Sequence, residues 1–148
     1  MNITVPQLAA QYRRAATEWP WVSYVERIRA LPTMLLWAIA SRETNMRNIV
    51  GDSGNGVGIW QRDNRAWSIS TAWYLAHPRQ QAEDAATLLL ANMHILGDWA
   101  DATAAYNAGL PTVRDTLRRG GNADSVTTGH DYSTDVMARR AALLALTR

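Results

Sequence analysis

Residues 38 to 63 read AIASRETNMRNIVGDSGNGVGIWQRD and combine two patterns in one short segment. The first part completes an apolar run with helical spacing, and the second part has four glycines within eight residues. Three acidic residues, Glu43, Asp52 and Asp63, lie among them. These carboxylates are either ordinary surface charges or groups that converge on a ligand, and their surroundings in the sequence bear on that choice.

A helix that carries Glu43 is predicted to begin soon after Pro32. Apolar residues recur from Leu36 at i and i+3 or i+4, and Glu43 follows at i+7. This spacing places Glu43 on the buried face, near the carboxyl end of the helix. Burial and the negative end of the helix dipole both disfavour a charged carboxylate, so we expect a raised pKa and a proton donor here. The alternative is an ordinary ion pair of Glu43 with Arg42 or Arg47.

The glycine-rich segment predicts a short pair of β-strands, the only sheet in the chain. Asn55-Gly56 favours a two-residue hairpin turn, and the residues from Val57 onwards alternate imperfectly between apolar and polar or small side chains. Gly58 within a strand suggests close approach by another backbone or by a ligand. The pattern fits neither a phosphate-binding loop nor a dinucleotide-binding fingerprint.

Helices account for most of the remaining sequence. The strongest is predicted over residues 80–96, where Gly97 is the expected C-cap and Asn92 lies beside the apolar face. Residues 64 to 79 are predicted to be a loop region. Capping residues and apolar spacing predict further helices over residues 5–17, 21–30, 98–109 and 111–120, and from about residue 133.

Length and composition restrict the fold class and the class of function. The 148 residues are 47% hydrophobic and 19% charged, as expected for one folded domain. We therefore expect a single, predominantly helical α+β domain over residues 1–148, in which residues 1–31 form packing helices and residues 32–148 form the part that contains the three candidate acids. The net charge of +2 and the scattered arginines are weaker signals than nucleic-acid binding requires, but they suit attraction to an anionic polymer such as a bacterial wall.

Several other kinds of site and segment are not expected. No apolar run approaches the roughly 20 residues of a membrane span, and the N-terminus shows no signal-peptide pattern, so we expect no membrane insertion. The chain has no cysteine. Its histidines, His77, His94 and His130, lack the spacing of a metal site, so neither a metal nor a cofactor is expected.

Four motifs, in order along the chain, resemble the goose-type lysozyme family. They are SRE at 41–43, GDSGNGVGIWQRD at 51–63, AAYNAG at 104–109 and DYSTDVMAR at 131–139. The resemblance covers roughly residues 33 to 141. It implies a lysozyme-like fold in which a small β-hairpin flanks a cleft that binds alternating N-acetylmuramic acid and N-acetylglucosamine.

The resemblance also implies roles for individual residues. Glu43 corresponds to the family's general acid, and Asp52 and Asp63 correspond to two aspartates that position and activate the attacking water. Tyr106 and Tyr132 correspond to tyrosines that line the cleft near the acid. The candidate substrate-binding residues are Gly58, Gln61, Asn92, Tyr106, Asn107 and Tyr132.

The residues themselves agree with that assignment. Inverting hydrolysis needs a protonated acid and a charged carboxylate about 6.5 to 9.5 Å away, with room for a water molecule. Glu43 on an apolar helix face and Asp63 at the end of an exposed hairpin have contrasting environments, so their pKa values should be pushed apart. The connection from Glu43 to Asp52 is shorter than in vertebrate goose-type enzymes. We therefore expect Asp63 to be the principal base and Asp52 its helper.

The predicted activity is that of an N-acetylmuramidase acting on peptidoglycan glycan strands, and two alternatives stay open. Lytic transglycosylases share the glutamate, the hairpin and the AYNAG element, but they cleave without water and form an anhydro-sugar. Their hairpin usually continues into a Met-Pro type sequence and a serine commonly follows the glutamate, whereas this chain has Arg62-Asp63-Asn64 and Thr44. A binding module without turnover is the other alternative.

The biological setting and the tryptophans complete the expectations. The chain resembles a phage lysin or a tail-associated muramidase, made in the host cytoplasm and acting on the bacterial wall, as a monomer or as a domain of a larger phage protein. We expect Trp60 to pack in the core, and we expect Trp67 and Trp73 to lie near the edge of the cleft.

Overall fold

The computed structural model describes residues 1, 3–66 and 69–147, apart from the side chain of Asp52. In this part of the chain, eight helices and one small sheet confirm the predominantly helical α+β expectation. The helices are α1 (Val5–Glu18), α2 (Val22–Ile28), α3 (Leu35–Thr44), α4 (Thr71–Ala76), α5 (Pro78–Leu96), α6 (Trp99–Ala108), α7 (Leu110–Arg118) and α8 (Tyr132–Leu146). The strands are β1 (Val50–Gly51), β2 (Gly56–Val57) and β3 (Arg62–Asp63).

Most helix boundaries follow from local capping chemistry. The Thr4 side chain accepts a hydrogen bond from the Gln7 amide, and the Gln7 side chain accepts one from the Thr4 amide, so a capping box begins α1. Gly97, with a φ of 75°, ends α5, and the Asp98 side chain caps the start of α6. The predicted helix at residues 80–96 is confirmed.

The central helix is α3, which packs against α1, α2, α5 and α8. Its residues 35 to 41 are all buried. The buried Glu26 of α2 accepts hydrogen bonds from the amides of Met34, at 2.9 Å, and Leu36, at 2.7 Å. These bonds satisfy amide groups at the start of α3 that have no partner within the helix. The helix that carries Glu43 in its last turn is therefore held at its amino end by a neighbouring helix.

The sheet is antiparallel with strand order β1-β2-β3. The predicted Asn55-Gly56 turn is wrong, because Gly56 lies in β2 and pairs with both Gly51 and Asp63. The Gln61 side chain covers these glycines, and a Cβ atom at residue 51 or 56 would lie 2.3 or 2.4 Å from its Oε1. These two glycines therefore serve a close approach by a side chain.

The segment at 64–79 also differs from its prediction as a loop. It contains a 3-10 turn at Asn64–Ala66 and the helix α4, which Ser70 caps by accepting a hydrogen bond from the Trp73 amide. A helix of six residues is too short to show hydrophobic periodicity. The prediction failed for that reason.

The main hydrophobic core surrounds α3, and a smaller cluster lies between α6 and α7. Trp60 is fully buried and its indole N–H donates to the Leu36 carbonyl at 2.8 Å, which confirms its predicted core role. In the described residues, every helix falls short of the length and hydropathy that a transmembrane span requires.

Candidate active site

A cleft of about 660 Å³ is lined by residues of the sheet, α5 and α6, together with Glu43 from the end of α3. Its lining comes from elements that are distant in sequence, including the end of α3, the strands β2 and β3, and the start of the 3-10 turn Thr128–His130. The lining residues are Glu43, Gly56, Gln61, Arg62, Asp63, Arg65, Ala66, Leu88, Tyr106, Asn107 and Thr128.

Glu43 has the properties expected of a proton donor. Burial raises its pKa from 4.5 to about 7, while a hydrogen bond from Tyr132 and the charge of Arg42 oppose the rise. The alternative of an ordinary ion pair with Arg42 is wrong. The Arg42 guanidinium instead binds Asp131 at 2.9 Å and Asp135 at 3.0 Å. Glu43 therefore keeps a protonated fraction near neutral pH.

Tyr132 lies behind Glu43, which differs from its predicted place on the cleft wall. Its side chain is 2% exposed and packs in the main core, because the start of α8 docks against α3. Its hydroxyl donates a hydrogen bond to Oε1 of Glu43. Tyr132 therefore orients the carboxyl group from the protein side. It does not present a surface to a ligand.

Tyr106 does line the cleft, as predicted. Its hydroxyl donates to the Trp60 carbonyl at 2.8 Å, which ties α6 to the turn that precedes β3. Burial and the nearby Glu43 raise its pKa, and the charge of Arg62 opposes this rise. Tyr106 therefore remains protonated at neutral pH.

Asp63 has the opposite environment to Glu43. Its side chain is 45% exposed and faces the same cleft. Hydrogen bonds from Arg65 lower the pKa of Asp63; the bond from its side chain has the larger effect and the bond from its backbone amide the smaller one. The cleft thus combines a carboxyl group with a raised pKa and a carboxylate with a lowered pKa, as the sequence predicts. The side chain of Asp52 lies outside the described part of the chain.

Gln61 and Asn107 present amide groups to the cleft. The Gln61 Nε2 donates to the carbonyls of Ile49 and Gly58, at 3.1 and 2.9 Å. The Asn107 Oδ1 accepts a hydrogen bond of 2.8 Å from the Thr128 amide, which orients the side chain. Both amides are therefore held in place before any ligand binds.

Gly58 and Asn92 lie away from the cleft lining, contrary to their prediction as substrate-binding residues. Gly58 has a φ of 87°, and a Cβ there would lie 2.3 Å from Oε1 of Gln81, so the close approach is made by a side chain of the same chain. Asn92 is 1% exposed and donates to the Ala102 carbonyl at 3.2 Å. It joins α5 to α6, because a buried amide needs a partner inside the protein.

Six lining residues were not among the predicted site residues: Gly56, Arg62, Arg65, Ala66, Leu88 and Thr128. Arg62 and Arg65 flank Asp63 in the sequence, so the motif QRDNR already contained their signal. Leu88 lies on α5, where it is half-buried and reaches the cleft. Thr128 comes from a segment without any local pattern.

The tryptophan and metal expectations have separate outcomes. Trp73 is 45% exposed and stacks on His77 at 3.9 Å, in a different groove that also includes Trp21. Its predicted place at the cleft edge is therefore wrong, and Trp67 lies outside the described residues. In the ranges 1, 3–66 and 69–147, no group of three histidine, aspartate or glutamate residues could hold a metal ion.

A helical fold with a small sheet beside a cleft that contains two carboxyl groups is typical of a lysozyme-like protein, and comparisons with known proteins agree. The family model described as Transglycosylase SLT domain matches residues 22–127. Lysozyme g of Gallus gallus and lysozyme g of Struthio camelus are each 34% identical to the chain over an alignment of 112 residues, and each alignment covers 68% of this chain. The chain spans about half the length of these curated relatives, 51% and 53% respectively. It belongs to the transglycosylase SLT domain family, which here includes the goose-type lysozymes.

Proposed function

We propose that this chain is an N-acetylmuramidase that cleaves the β-1,4 bond between N-acetylmuramic acid and N-acetylglucosamine in bacterial peptidoglycan. The observation that carries the proposal is the pair of acids in one cleft, Glu43 with a raised pKa and Asp63 with a lowered pKa. Glycosidases divide acid and base work between two carboxyl groups in this way. The family membership supports the same class of substrate.

Glu43 acts as the general acid in this proposal. A pKa of about 7 leaves a large protonated fraction at neutral pH, so the group can deliver a proton to the glycosidic oxygen as the bond breaks. Oε1 accepts the hydrogen bond from Tyr132, which leaves Oε2 as the oxygen that carries the transferred proton. The Tyr132 contact keeps that proton directed at the cleft.

Asp63 acts as the base that accepts a proton from the attacking water. It is ionised at neutral pH because its pKa is lowered, and its exposure gives water access to this side of the cleft. Gln61, Tyr106 and Asn107 are proposed to bind the sugars, since all three line the cleft. Asp52 is proposed as the helper of Asp63 on the sequence resemblance alone.

A lytic transglycosylase is the second candidate, and one contact favours it. Arg65 occupies both carboxylate oxygens of Asp63, so the base is engaged within the protein. In a transglycosylase, Glu43 would protonate the same glycosidic oxygen, and an internal hydroxyl of the muramic acid would replace water and give a 1,6-anhydro product. The description of the matching family model is in keeping with this candidate.

The proposed setting is a phage lysin or a tail-associated muramidase that is made in the host cytoplasm and acts on the bacterial wall. It rests on the sequence alone. The proposed partner is the glycan strand, and the chain acts as a monomer or as a domain of a larger phage protein, with no nucleic acid and no membrane insertion involved.

The test is mass spectrometry of products from purified peptidoglycan. We expect products with reducing-end muramic acid, and we expect Glu43→Gln to lower the rate by about 100-fold or more, because a positioned acid contributes at least that much. Asp63→Asn should lose hydrolysis but retain glycan binding. Glu18→Gln is the matched control, since Glu18 is exposed at the end of α1.

The outcomes separate the candidates. Anhydro-muramic products that Glu43→Gln abolishes would replace the muramidase by the transglycosylase. Glycan binding without any cleavage would leave a binding module. Full activity in Glu43→Gln would contradict the mechanism itself.

A further inference from the structure

Arg65 holds the carboxylate of Asp63 through an unusually complete set of contacts. The Arg65 backbone amide and Nε donate to Oδ1, each at 2.9 Å. Nε also lies 3.1 Å from Oδ2, and Nη2 donates to Oδ2 at 2.7 Å. The two residues are separated only by Asn64, at the point where β3 passes into the 3-10 turn Asn64–Ala66. We call this arrangement the Arg65 fork.

The fork conflicts with the role of Asp63 as a base. A carboxylate has about four lone-pair positions, and the four contacts from Arg65 involve both oxygens. A water molecule that gives its proton to Asp63 must first form a hydrogen bond with one of these oxygens. While the fork is closed, Arg65 donors compete with water at each of them. The nearby positive charge also makes the carboxylate a weaker proton acceptor.

We propose that Arg65 is a positioning residue that determines whether Asp63 can activate water. With the fork closed, Arg65 donors engage both carboxylate oxygens of Asp63, and the cleft favours the reaction without water. With the fork open, the backbone amide of Arg65 still orients Oδ1, and Oδ2 becomes available to water. This inference rests on the proposed cleavage of peptidoglycan and explains how one cleft could partition between its two products.

The fork can open without disturbing the core. The side chains of Arg65 and Asp63 are 64% and 45% exposed, so the ion pair lies in contact with solvent and outside the hydrophobic core. Ion pairs between exposed side chains are weak. The other charged groups of the cleft with described side chains are Arg62, which precedes Asp63 in β3, and Glu43 at the end of α3. Neither residue can take the place of Arg65. Arg62 acts on Asp63 through its charge, and Glu43 is itself a carboxyl group.

The experiment compares the wild-type chain with Arg65→Gln and Arg65→Lys. Purified peptidoglycan is digested in ¹⁸O-labelled water, and incorporation at new reducing ends measures cleavage by water. Arg118→Gln is the matched control, because Arg118 also faces an aspartate, Asp115, but on the exposed surface of α7. The same samples give the pH profile of cleavage.

Arg65→Gln is expected to raise the rate of ¹⁸O incorporation by about threefold or more, a small part of what a positioned base contributes. The acid limb of the profile should move to higher pH, because the pKa of Asp63 rises when the fork is lost. Arg65→Lys, which keeps the charge without the fork, should raise incorporation while the acid limb moves less. Arg118→Gln should behave as wild type.

Two negative results are distinguishable. Cleavage by the wild type with ¹⁸O incorporation unchanged or reduced in Arg65→Gln would overturn the role of Arg65 and leave the proposed function intact. An absence of cleavage in all variants would overturn the proposed function, and the role of Arg65 with it. If the wild type forms only anhydro products and Arg65→Gln incorporates ¹⁸O, the proposed role of Arg65 would be supported.

Discussion

The hydrogen bond from Tyr132 to Glu43 gives the sharpest test of the acid's environment. Tyr132→Phe removes one hydroxyl from a buried ring and leaves the packing of α8 on α3 in place. The bond is donated to the carboxyl oxygen, so it favours the charged form of Glu43 and holds its pKa down against burial. Removing the bond should therefore raise the pKa of Glu43 further.

The size of the effect follows from the kind of bond that is lost. A hydrogen bond to a charged group contributes about 1.5 to 3 kcal/mol, and about 1.4 kcal/mol corresponds to one pH unit. Part of the loss is recovered because Glu43 faces a cleft that water can enter. We therefore expect the pKa of Glu43 to rise by about 1 pH unit relative to wild type.

The assay is a titration of side-chain carboxyl carbons by NMR. The chain has only four glutamates, which keeps the spectrum simple. Burial also raises the pKa of Glu26 to about 7, so Glu26→Gln and Glu43→Gln are needed to assign the two signals. In parallel, the alkaline limb of the pH profile of peptidoglycan cleavage should move to higher pH, because Glu43 stays protonated up to a higher pH.

Tyr106→Phe is the matched control for Tyr132→Phe. Tyr106 is also close to Glu43, but its hydroxyl donates to the Trp60 carbonyl instead. Removing the Tyr106 hydroxyl should therefore not raise the pKa of Glu43 as Tyr132→Phe does. An unchanged or lowered pKa in Tyr132→Phe would refute the reasoning that this bond stabilises the charged acid.

Two further predictions concern stability. The pKa of Glu26 is raised from 4.5 to about 7, so this group favours folding in its protonated form, and about 3 kcal/mol of that contribution is lost as pH rises from about 4.5 through 7. Glu26→Gln should be less stable at low pH, because the nitrogen of the Gln side chain cannot accept a hydrogen bond and one of the two bonds from Met34 and Leu36 is lost. Its unfolding free energy in urea should nevertheless vary less with pH over this range than that of wild type, and an equal slope would contradict the prediction. Gly58→Ala should lower the unfolding free energy by about 2 kcal/mol or more, because its Cβ meets Gln81, whereas Gly97→Ala, in open space at a similar φ, should cost about 1 kcal/mol. Equal losses in thermal melts would show that the contact with Gln81 is unimportant.

The predictions that succeeded depend on short stretches of chain. The end of α5 at Gly97 and the capping of α6 by Asp98 involve residues within one helical turn, so the sequence contains the whole interaction. The partly buried position of Glu43 in the last turn of α3 likewise follows from the spacing of apolar residues along one helix. The contrast between Glu43 and Asp63 was predictable because one lies on an apolar helix face and the other on a polar hairpin.

The predictions that failed concern partners from elsewhere in the chain. Asn55-Gly56 has the local signature of a turn, yet Gln61 folds over Gly56 and places it in a strand. Gly58 accommodates Gln81 of α5, and no pattern around Gly58 specifies that neighbour. Close packing selects these partners, and it involves residues that sequence spacing does not relate.

Local patterns in the sequence predicted every described helix except α4, the presence of a small sheet, and the candidate acid and base, because backbone hydrogen bonding, capping and apolar periodicity act over a few residues. Tertiary packing was needed to show that Tyr132 supports Glu43 from behind, that Arg42 binds Asp131, and that Asn92 joins two helices. These contacts join residues that are far apart in the sequence. They form because a buried polar group must find a partner wherever packing places one.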